Sequence, residues 1–285
     1  MIYIFDNLNR NDYGGHLMQM HKQRHEMFIQ ARGWDLNSFF ELEIDQFDSP
    51  TATYIAVIDD DRLIASVRLT PTSMNTFIGV NYRENINAPE YPVRFNESTW
   101  EMFRLLSVDS DWRSPGGHPA IRLLWVAMLE YLESQQAKHV VAVADTGLLK
   151  RIPPVLDWRE IGTPSSFDQQ SDLGLGSASL VEIAIDKRSN QALRKLLNYT
   201  GPTFKRAEQG LTLAPLRVRP EQLYAVILWL EAHPAEIQNA RSLFDKAQTD
   251  DASLKMFEAL VSRAVMWSYQ SDPLKTDIPE GTLWH

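Results

Sequence analysis

Hydrophobic positions along the chain follow helical and extended spacings in turn through most of its length. Apolar side chains recur every three or four positions over residues 14–32, which predicts a helix that ends at Gly33. Two extended runs around the turn residues 59–61 predict a hairpin over 53–72. A strand at 99–109, a helix over 119–133 and a short buried strand at 139–145 are predicted next.

The pattern changes in the last quarter of the chain. Strands at 157–162 and 179–186 and a helix near 189–198 continue the alternation, which indicates an α/β fold on one mixed central sheet flanked by helices. After Pro220 only three helical stripes occur, and Asp250 or Asp251 is suited to cap the third. We therefore predict an α/β domain over 1–212 and an all-helical C-terminal extension over 213–285. Segments 41–50 and 73–98 are polar and are predicted to be irregular.

Composition narrows the class of protein. The net charge of −9 and a pI near 5.3 disfavour a nucleic-acid scaffold, which needs a concentrated basic surface. The chain has no cysteine, which excludes disulfides, thiolate metal sites and a cysteine nucleophile. Neither a signal peptide nor an apolar run of membrane-spanning length is evident, so a soluble cytoplasmic protein is expected.

Two opposite charges interrupt the apolar strand at 99–109. Glu101 and Arg104 are costly inside a buried strand unless they are matched, so a functional role is favoured over a structural one. Residues three apart point to opposite faces of a regular strand. Both side chains reach one site only if the strand contains a bulge, and we predict one there.

Other charged residues have ordinary explanations when taken singly. Arg24 lies on the apolar stripe of the first helix, and a half-buried arginine near the end of a helix would explain it without a functional role. Asp45 and Asp48 occupy a polar segment that resembles a solvated loop. His21 and His25 are spaced for metal binding, but no third ligand follows at a diagnostic spacing, so no metal is predicted.

A glycine-containing turn joins the strand at 99–109 to the following helix. Arg113, Gly116 and Gly117 lie there, and the backbone amides at a helix start favour an anion. The arginine-x-x-glycine-glycine sequence resembles a degenerate pyrophosphate loop of the Gcn5-related N-acetyltransferases. His118 stands where that pattern has glycine or alanine, and a plain turn is the alternative interpretation.

Taken in order along the chain, these residues resemble the signature of the acyl-homoserine lactone synthases, the quorum-sensing autoinducer synthase family. The resemblance covers about residues 20–108 and rests on Arg24, Phe28, Trp34, Asp45, Asp48, Arg68, Glu101 and Arg104. Phe103 and Leu105 depart from the serine and phenylalanine usual beside the family's arginine. The 73–98 segment lacks the family's glycine-proline-tyrosine sequence, and the C-terminal extension exceeds its usual length. The family has an acetyltransferase-like fold, which agrees with the pattern above.

The resemblance implies transfer of an acyl group to the amine of S-adenosylmethionine, followed by lactone closure and release of methylthioadenosine. Glu101 would accept the amine proton, while Arg24 and Arg104 would hold carboxylates and keep Glu101 ionised. The remaining assignments are substrate binding by Phe28, Trp34, Asp45, Asp48 and Arg68, and acyl-donor binding by Arg113, Gly116, Gly117 and Phe103. No metal or other cofactor is implied.

The implied acyl donor is acyl carrier protein or acyl-coenzyme A. Carrier proteins are acidic, so a basic docking face is expected, although a solvated helix face is the equal alternative. Its candidates are Lys150, Arg151, Lys187, Arg188, Arg194 and Lys195. A homodimer through the C-terminal helices is also expected. The competing functions are an acyl-coenzyme A-dependent N-acyltransferase of the same fold acting on another amine, and a catalytically silent relative that binds a partner.

Overall fold

A mixed sheet lies at the centre of the protein. The structure is a computed structural model that describes residues 1–86, 93–163, 178–200, 205–206, 220–247 and 249–271. Its strands are β1 (Ile2–Phe5), β2 (Ser38–Phe39), β3 (Leu42–Glu43), β4 (Thr53–Asp59), β5 (Arg62–Pro71), β6 (Thr99–Ser107), β7 (His139–Ala144), β8 (Trp158–Gly162), β9 (Ser179–Ala184) and β10 (Lys205–Arg206). Eight of them form the central sheet in the order β10-β1-β4-β5-β6-β7-β9-β8, and β2 and β3 form a separate hairpin.

Helices cover the sheet and continue past it. They are α1 (Gly14–Arg24), α2 (Phe77–Asn81), α3 (Ala120–Ser134), α4 (Thr146–Leu149), α5 (Lys187–Leu197), α6 (Pro220–Ala232), α7 (Ile237–Ala247) and α8 (Asp251–Ser271). A π-helical turn, His25–Gln30, prolongs α1. Gly33 follows with a φ of 65°, a left-handed conformation that glycine adopts without strain.

The predicted elements and the mixed α/β class are confirmed with small shifts of their ends. The sequence pattern missed β1 and β10, which pair with each other at one edge of the sheet. The expectation of an irregular segment at 41–50 was wrong in part, because Leu42 and Glu43 pair with Ser38 and Phe39 as a short hairpin. The predicted domain boundary at 212–213 lies outside the described residues, and so does part of the 73–98 segment.

The core lies on both faces of the sheet. Ile55 and Val57 of β4 join a cluster with α3, whereas Tyr54 and Ala56 join one beneath α1. Successive side chains of a strand point to opposite faces, so burial of both sets places β4 inside a three-layered structure. The helices are thereby held on fixed sides of the sheet: α1 on one, α3 on the other.

Strand β6 is irregular where it carries the two charges. Its register against β5 shifts between Ser66 and Arg68, and Arg104 has a φ of 54°. This confirms the predicted bulge. The parallel pairing of β6 with β7 stops at Glu101 opposite Val141. The two strands therefore separate beyond Glu101 and leave a gap at the centre of the sheet.

The C-terminal helices pack against each other and against the β2–β3 hairpin. Phe39, Leu42 and Ile44 share one buried cluster with residues of α6, α7 and α8. The side chain of Asp250 accepts a hydrogen bond from the Ser253 amide at 2.8 Å, which caps the start of α8 as predicted. In the described part of the chain, no helix has the length and apolar character needed to cross a membrane.

Candidate active site

Three arginines and three carboxylates form a buried ionic cluster between α1, the β2–β3 hairpin and the central sheet. Arg24 donates to both carboxylate oxygens of Asp48 at 2.8 and 2.9 Å and is also paired with Glu43. Arg68 binds Asp45 at 2.6 and 3.1 Å and Asp48 at 2.8 Å. The remaining arginine, Arg104, donates to Glu43 at 2.6 Å and lies 3.4 Å from Asp45. The cluster is electrically balanced, which offsets the cost of burying its charges.

Each arginine reaches the cluster because of a local feature of its element. Arg24 is the last residue of α1, immediately before the π-helical turn. The bulge in β6 brings Arg104 to the cluster, and Arg68 extends from the centre of β5. Asp45 and Asp48 follow β3, and the Asp48 carboxylate accepts the Asp45 amide at 2.9 Å, which fixes the turn between them. Residues predicted from separate segments are thus brought together.

Glu43 is a member of the cluster that the sequence interpretation missed. Its side chain is fully buried and is shared by Arg24 and Arg104. Burial alone would raise the pKa of Glu43, but the charges of Arg24 and Arg104 outweigh it and lower that pKa to about 2. The alternation of buried Leu42 and Ile44 around it was the available signal, because it places Glu43 on a short strand.

The members of the cluster differ in their access to solvent. The side chain of Asp45 is 16% exposed, whereas that of Asp48 is 0% exposed. Asp48 also accepts a hydrogen bond from the Tyr54 hydroxyl at 2.9 Å. Burial would raise the pKa of Asp48, but the charges of Arg24 and Arg68 outweigh it and hold that pKa well below its usual range. Among the three carboxylates of the cluster, Asp45 is therefore the one that a ligand can reach directly.

Glu101 lies apart from these ion pairs and is bound by backbone amides. The first amides of α2, those of Phe77 and Ile78, donate to its two oxygens at 3.1 and 2.5 Å. Such amides have no partner inside their own helix, so a carboxylate satisfies them. Burial raises the pKa of Glu101 to about 7, and the two amides and the charge of Arg68 oppose the rise only in part. A carboxyl group with this pKa exchanges a proton readily near neutral pH.

This arrangement corrects one expectation about Glu101. Arg24 and Arg104 were expected to keep it ionised, but both pair with the acidic residues of the cluster instead. Arg68 is the arginine whose charge favours the ionised form of Glu101. The 73–98 segment, expected to be an irregular excursion, supplies the amides that bind it.

Aromatic rings line the cluster. Phe28 and Trp34 stack with their centroids 5.2 Å apart and their planes 16° apart. The Arg104 guanidinium lies 5.1 Å from the centroid of Phe28 and 4.6 Å from that of Phe103. Phe103 also stacks on Phe77 at 4.4 Å. The predicted aromatic residues thus lie beside the charged cluster, and Phe103 faces it rather than the Arg113 turn.

The turn after β6 closes on itself. The Arg113 guanidinium donates to the carbonyls of Ser110 and Trp112 at 2.6 and 2.8 Å. Gly117 has a φ of 80°, and its amide donates to the Ser114 carbonyl at 2.7 Å. These bonds occupy some of the donors expected to bind an anion, and an acyl-donor role for Arg113, Gly116 and Gly117 stays a prediction.

The two helical histidines make separate contacts. His21 is buried with its Nδ1 2.9 Å from the Glu43 carbonyl, and burial lowers its pKa to about 4. His25 lies 3.0 Å from the Ser38 hydroxyl. Within the described ranges, no group of three or more His, Asp or Glu residues is arranged to hold a metal ion.

Comparison with known proteins identifies a family model and relatives that the chain matches. A family model described as autoinducer synthase matches residues 9–189. An acyl-homoserine-lactone synthase of Acinetobacter nosocomialis is 26% identical over 156 residues, which cover 52% of this chain and 84% of that protein. An isovaleryl-homoserine lactone synthase of Bradyrhizobium diazoefficiens is 28% identical over 156 residues, which cover 53% of this chain and 67% of that one.

Solved structures share the fold. A coenzyme A-dependent acyl-homoserine lactone synthase, BjaI, determined with S-adenosylmethionine and isopentyl-coenzyme A, superposes with a TM-score of 0.62 at 20% identity. The superposition covers 74% of this chain and 95% of that one. The synthase LasI gives a TM-score of 0.53 at 21% identity over 68% of this chain and 94% of that one.

Proposed function

The chain belongs to the autoinducer synthase family, the acyl-homoserine-lactone synthases, and from that premise we propose that Glu101 is the general base of the reaction. The α-amine of S-adenosylmethionine is mostly protonated at neutral pH and must lose a proton before it attacks a thioester carbonyl. Glu101, directly or through one water, takes that proton. The amine nitrogen then bonds to the acyl carbon, and the thiol of the donor leaves.

The observation that carries this proposal is the environment of Glu101. It is a buried carboxyl group, held by two amides, with a pKa raised to about 7. A base is most effective when its pKa lies near the working pH, because it is then both available and able to pass its proton on. Its position at the point where β6 and β7 separate gives a substrate a path between the strands.

Asp45 is the group that we assign to the substrate amine. It is the most exposed carboxylate of the cluster, and Arg68 and Arg104 hold its oxygens from the inner side. Asp48, Glu43 and Arg24 are inaccessible and act as the support that fixes Asp45. The Phe28–Trp34 stack provides an aromatic face suited to the sulfonium of S-adenosylmethionine.

Lactone closure follows from the position of the bound product. A carboxylate oxygen of the acylated intermediate attacks its own γ-carbon, the carbon–sulfur bond breaks, and methylthioadenosine leaves with the bonding electrons. This step requires mainly that the carboxylate be held near the γ-carbon. The ring stack and the fixed ionic cluster provide such a rigid surface.

For the acyl donor we assign the gap between β6 and β7. Phe103, two residues beyond the last β6–β7 pair, contacts the acyl chain, and the Arg113, Gly116 and Gly117 turn contacts the phosphate of the donor after Arg113 releases its carbonyl partners. Either coenzyme A or acyl carrier protein supplies this phosphate. For a carrier protein, the candidate docking residues are the exposed Lys150 and Arg151 after α4 and the exposed Lys187 and Arg188 at the start of α5.

The function is tested by mass spectrometry of organic extracts from the medium of cells expressing the chain. N-acyl-homoserine lactones are expected, and they should be absent from cells expressing Glu101→Gln. Purified protein supplied with S-adenosylmethionine and acyl thioesters should release methylthioadenosine. An acylated amine other than S-adenosylmethionine would instead establish an N-acyltransferase of different specificity and overturn the proposal.

A further inference from the structure

The C-terminal helices lie beyond the residues matched by the family model, yet they contact the segment that carries part of the site. The match ends at residue 189, and α6, α7 and α8 begin at Pro220. Their partner is the β2–β3 hairpin, which contributes Glu43 to the ionic cluster and leads into Asp45.

The hairpin has little structure of its own. Each strand contains two residues, and the pair forms a sheet separate from the central one. A hairpin of this size is unstable in isolation, so its position depends on what packs around it. On the inner side, Glu43 is bound by Arg24 and Arg104.

On its outer side the hairpin is packed against the C-terminal helices. Phe39 is 2% exposed, and its ring lies 5.5 Å from Phe244 of α7 and 6.3 Å from Phe257 of α8. Phe40 lies 5.8 Å from Phe244 and beneath the Arg241 guanidinium at 5.6 Å. The hairpin is therefore packed between the ionic cluster on one side and the C-terminal helices on the other.

A second contact joins α6 to the chain that follows Trp34. Tyr224 of α6 is half-buried and packs against the same apolar cluster as Phe39 and Phe40. Burial and the charge of Asp45 raise the pKa of Tyr224, and a hydrogen bond with the Asn37 side chain opposes the rise. The helices therefore pack against the segment 38–45, on which the proposed amine site depends.

We propose that the C-terminal helices form part of the S-adenosylmethionine site, with Tyr224 and Phe244 as positioning residues for Trp34, Glu43 and Asp45. The inference rests on the proposed function for the identity of the ligand. It assigns an active-site role to the C-terminal extension.

The test compares three variants of the full chain: Tyr224→Phe, which removes the hydroxyl alone, Phe244→Leu, which removes the ring, and the control Met256→Ala. Met256 lies on α8, is 59% exposed and does not belong to the buried cluster that includes the hairpin. The Michaelis constants for S-adenosylmethionine and for the acyl donor are measured separately, and S-adenosylmethionine binding is measured by calorimetry without a donor.

We expect the first two variants to weaken S-adenosylmethionine binding by about tenfold, with the Michaelis constant for the acyl donor unchanged and Met256→Ala like wild type. Equal increases for both substrates, or none in an active enzyme, overturn the inference. Wild-type protein that neither binds S-adenosylmethionine nor forms product overturns the proposed function instead.

Hydrogen exchange tests the positioning role independently of activity. In Phe244→Leu, the amides of residues 34–45 should exchange faster, while those of β4 and β5 keep their protection and the Met256→Ala control is unchanged. Unaltered exchange over 34–45 in a folded Phe244→Leu protein would show that the helices do not position the hairpin, whatever the ligand.

Discussion

At the scale of single residues, the site separates one carboxyl group with a raised pKa from three carboxylates that are paired with arginines. Glu43, Asp45 and Asp48 share Arg24, Arg68 and Arg104, whereas Glu101 is bound by neutral amides. Burial without a directly bonded cation favours the protonated form of an acid, and burial with a bonded cation does not. The same residue type therefore has two roles within one site.

The titration of Glu101 predicts the pH dependence of amide formation. Because its pKa is raised to about 7, protonation below that pH removes the base, and the rate should fall as the pH is lowered through 7. Glu101→Gln should lose at least about two orders of magnitude in turnover. Pre-steady-state acyl transfer measured from pH 5.5 to 9 checks both, with exposed Glu97→Gln as the control. Near-normal turnover in Glu101→Gln would exclude this role.

Stability should report the same group with a defined sign. A carboxyl group whose pKa rises on folding stabilises the folded state at low pH, and this contribution is lost as the pH rises through the folded pKa of about 7. Relative to wild type, Glu101→Gln should therefore gain in Tm between pH 5 and pH 9. The loss of one amide hydrogen bond in this variant is independent of pH and cancels in the comparison. A constant Tm difference across that range would contradict the raised pKa.

Asp45 and Asp48 should respond differently to the same substitution. Asp45→Asn should fold and raise the Michaelis constant for S-adenosylmethionine about tenfold or more, the effect of losing a charge-assisted bond of about 1.5–3 kcal/mol. Asp48→Asn leaves Arg24 and Arg68 underpaired in the interior and should cost about 3–5 kcal/mol of stability. Steady-state kinetics and denaturant unfolding distinguish them, with exposed Glu41→Gln as the control. Two stable variants with unchanged kinetics would remove both residues from the proposed roles.

At the scale of elements, the polar segment before β6 closes over the base. Its α2 helix supplies the two amides on Glu101, and Ile86, five residues after α2, forms a backbone bridge with Gly162 of β8. A Cβ atom at residue 162 would lie 2.1 Å from the Asn85 carbonyl oxygen. Glycine is therefore required at 162 for the segment to dock, and the docking helps to fix α2.

Gly162→Ala should displace this segment and weaken the hydrogen bonds that the α2 amides donate to Glu101. Those bonds lower the pKa of Glu101, so their loss should move the midpoint of the pH–rate profile above 7 and reduce the rate at neutral pH. Gly147→Ala is the matched control, because its nearest neighbour is the movable Asp145 side chain at 3.2 Å. The same pH–rate measurement checks the result. A slower enzyme with an unmoved midpoint would separate the docking from the base.

At the scale of the whole molecule, the charge is unevenly distributed. The chain carries a net charge of −9, yet Lys187 and Arg188 are exposed together at the start of α5. Arg194, further along the helix, is half-buried and paired with Glu130 at 2.5 Å, so it is less available to a partner. A local basic surface on an acidic protein steers an acidic partner to one face.

The double charge reversal Lys187→Glu, Arg188→Glu should weaken use of an acyl carrier protein donor and leave acyl-coenzyme A less affected. Acidic residues are favourable in a first helical turn, so the fold should tolerate the change. The Michaelis constant for the carrier protein should rise about tenfold at low salt, and the difference should shrink as salt screens the charges. Lys255→Glu, at an exposed position of α8, is the control. Equal kinetics for all three proteins at low salt would place the docking face elsewhere.

The sequence by itself determined most of the longer elements, their order and most of the ionic residues. Periodicity of apolar residues identified β4, β5, β6 and α3 because burial of a regular element leaves a local pattern. The two charges inside β6 required a bulge, because residues three apart on a regular strand point to opposite faces. Arg104 lies in that bulge with a positive φ.

Only the tertiary structure decided how these residues combine. Glu43 joins Arg24 and Arg104 across 19 and 61 positions of the chain, and Glu101 accepts hydrogen bonds from backbone amides 24 and 23 positions away. Pairings over such distances leave no periodic trace. The raised pKa of Glu101 and the packing of the C-terminal helices on the β2–β3 hairpin depend on which surfaces meet after folding. Burial and long-range contacts are properties of the assembled molecule, so they set the chemistry of residues that the sequence only identifies.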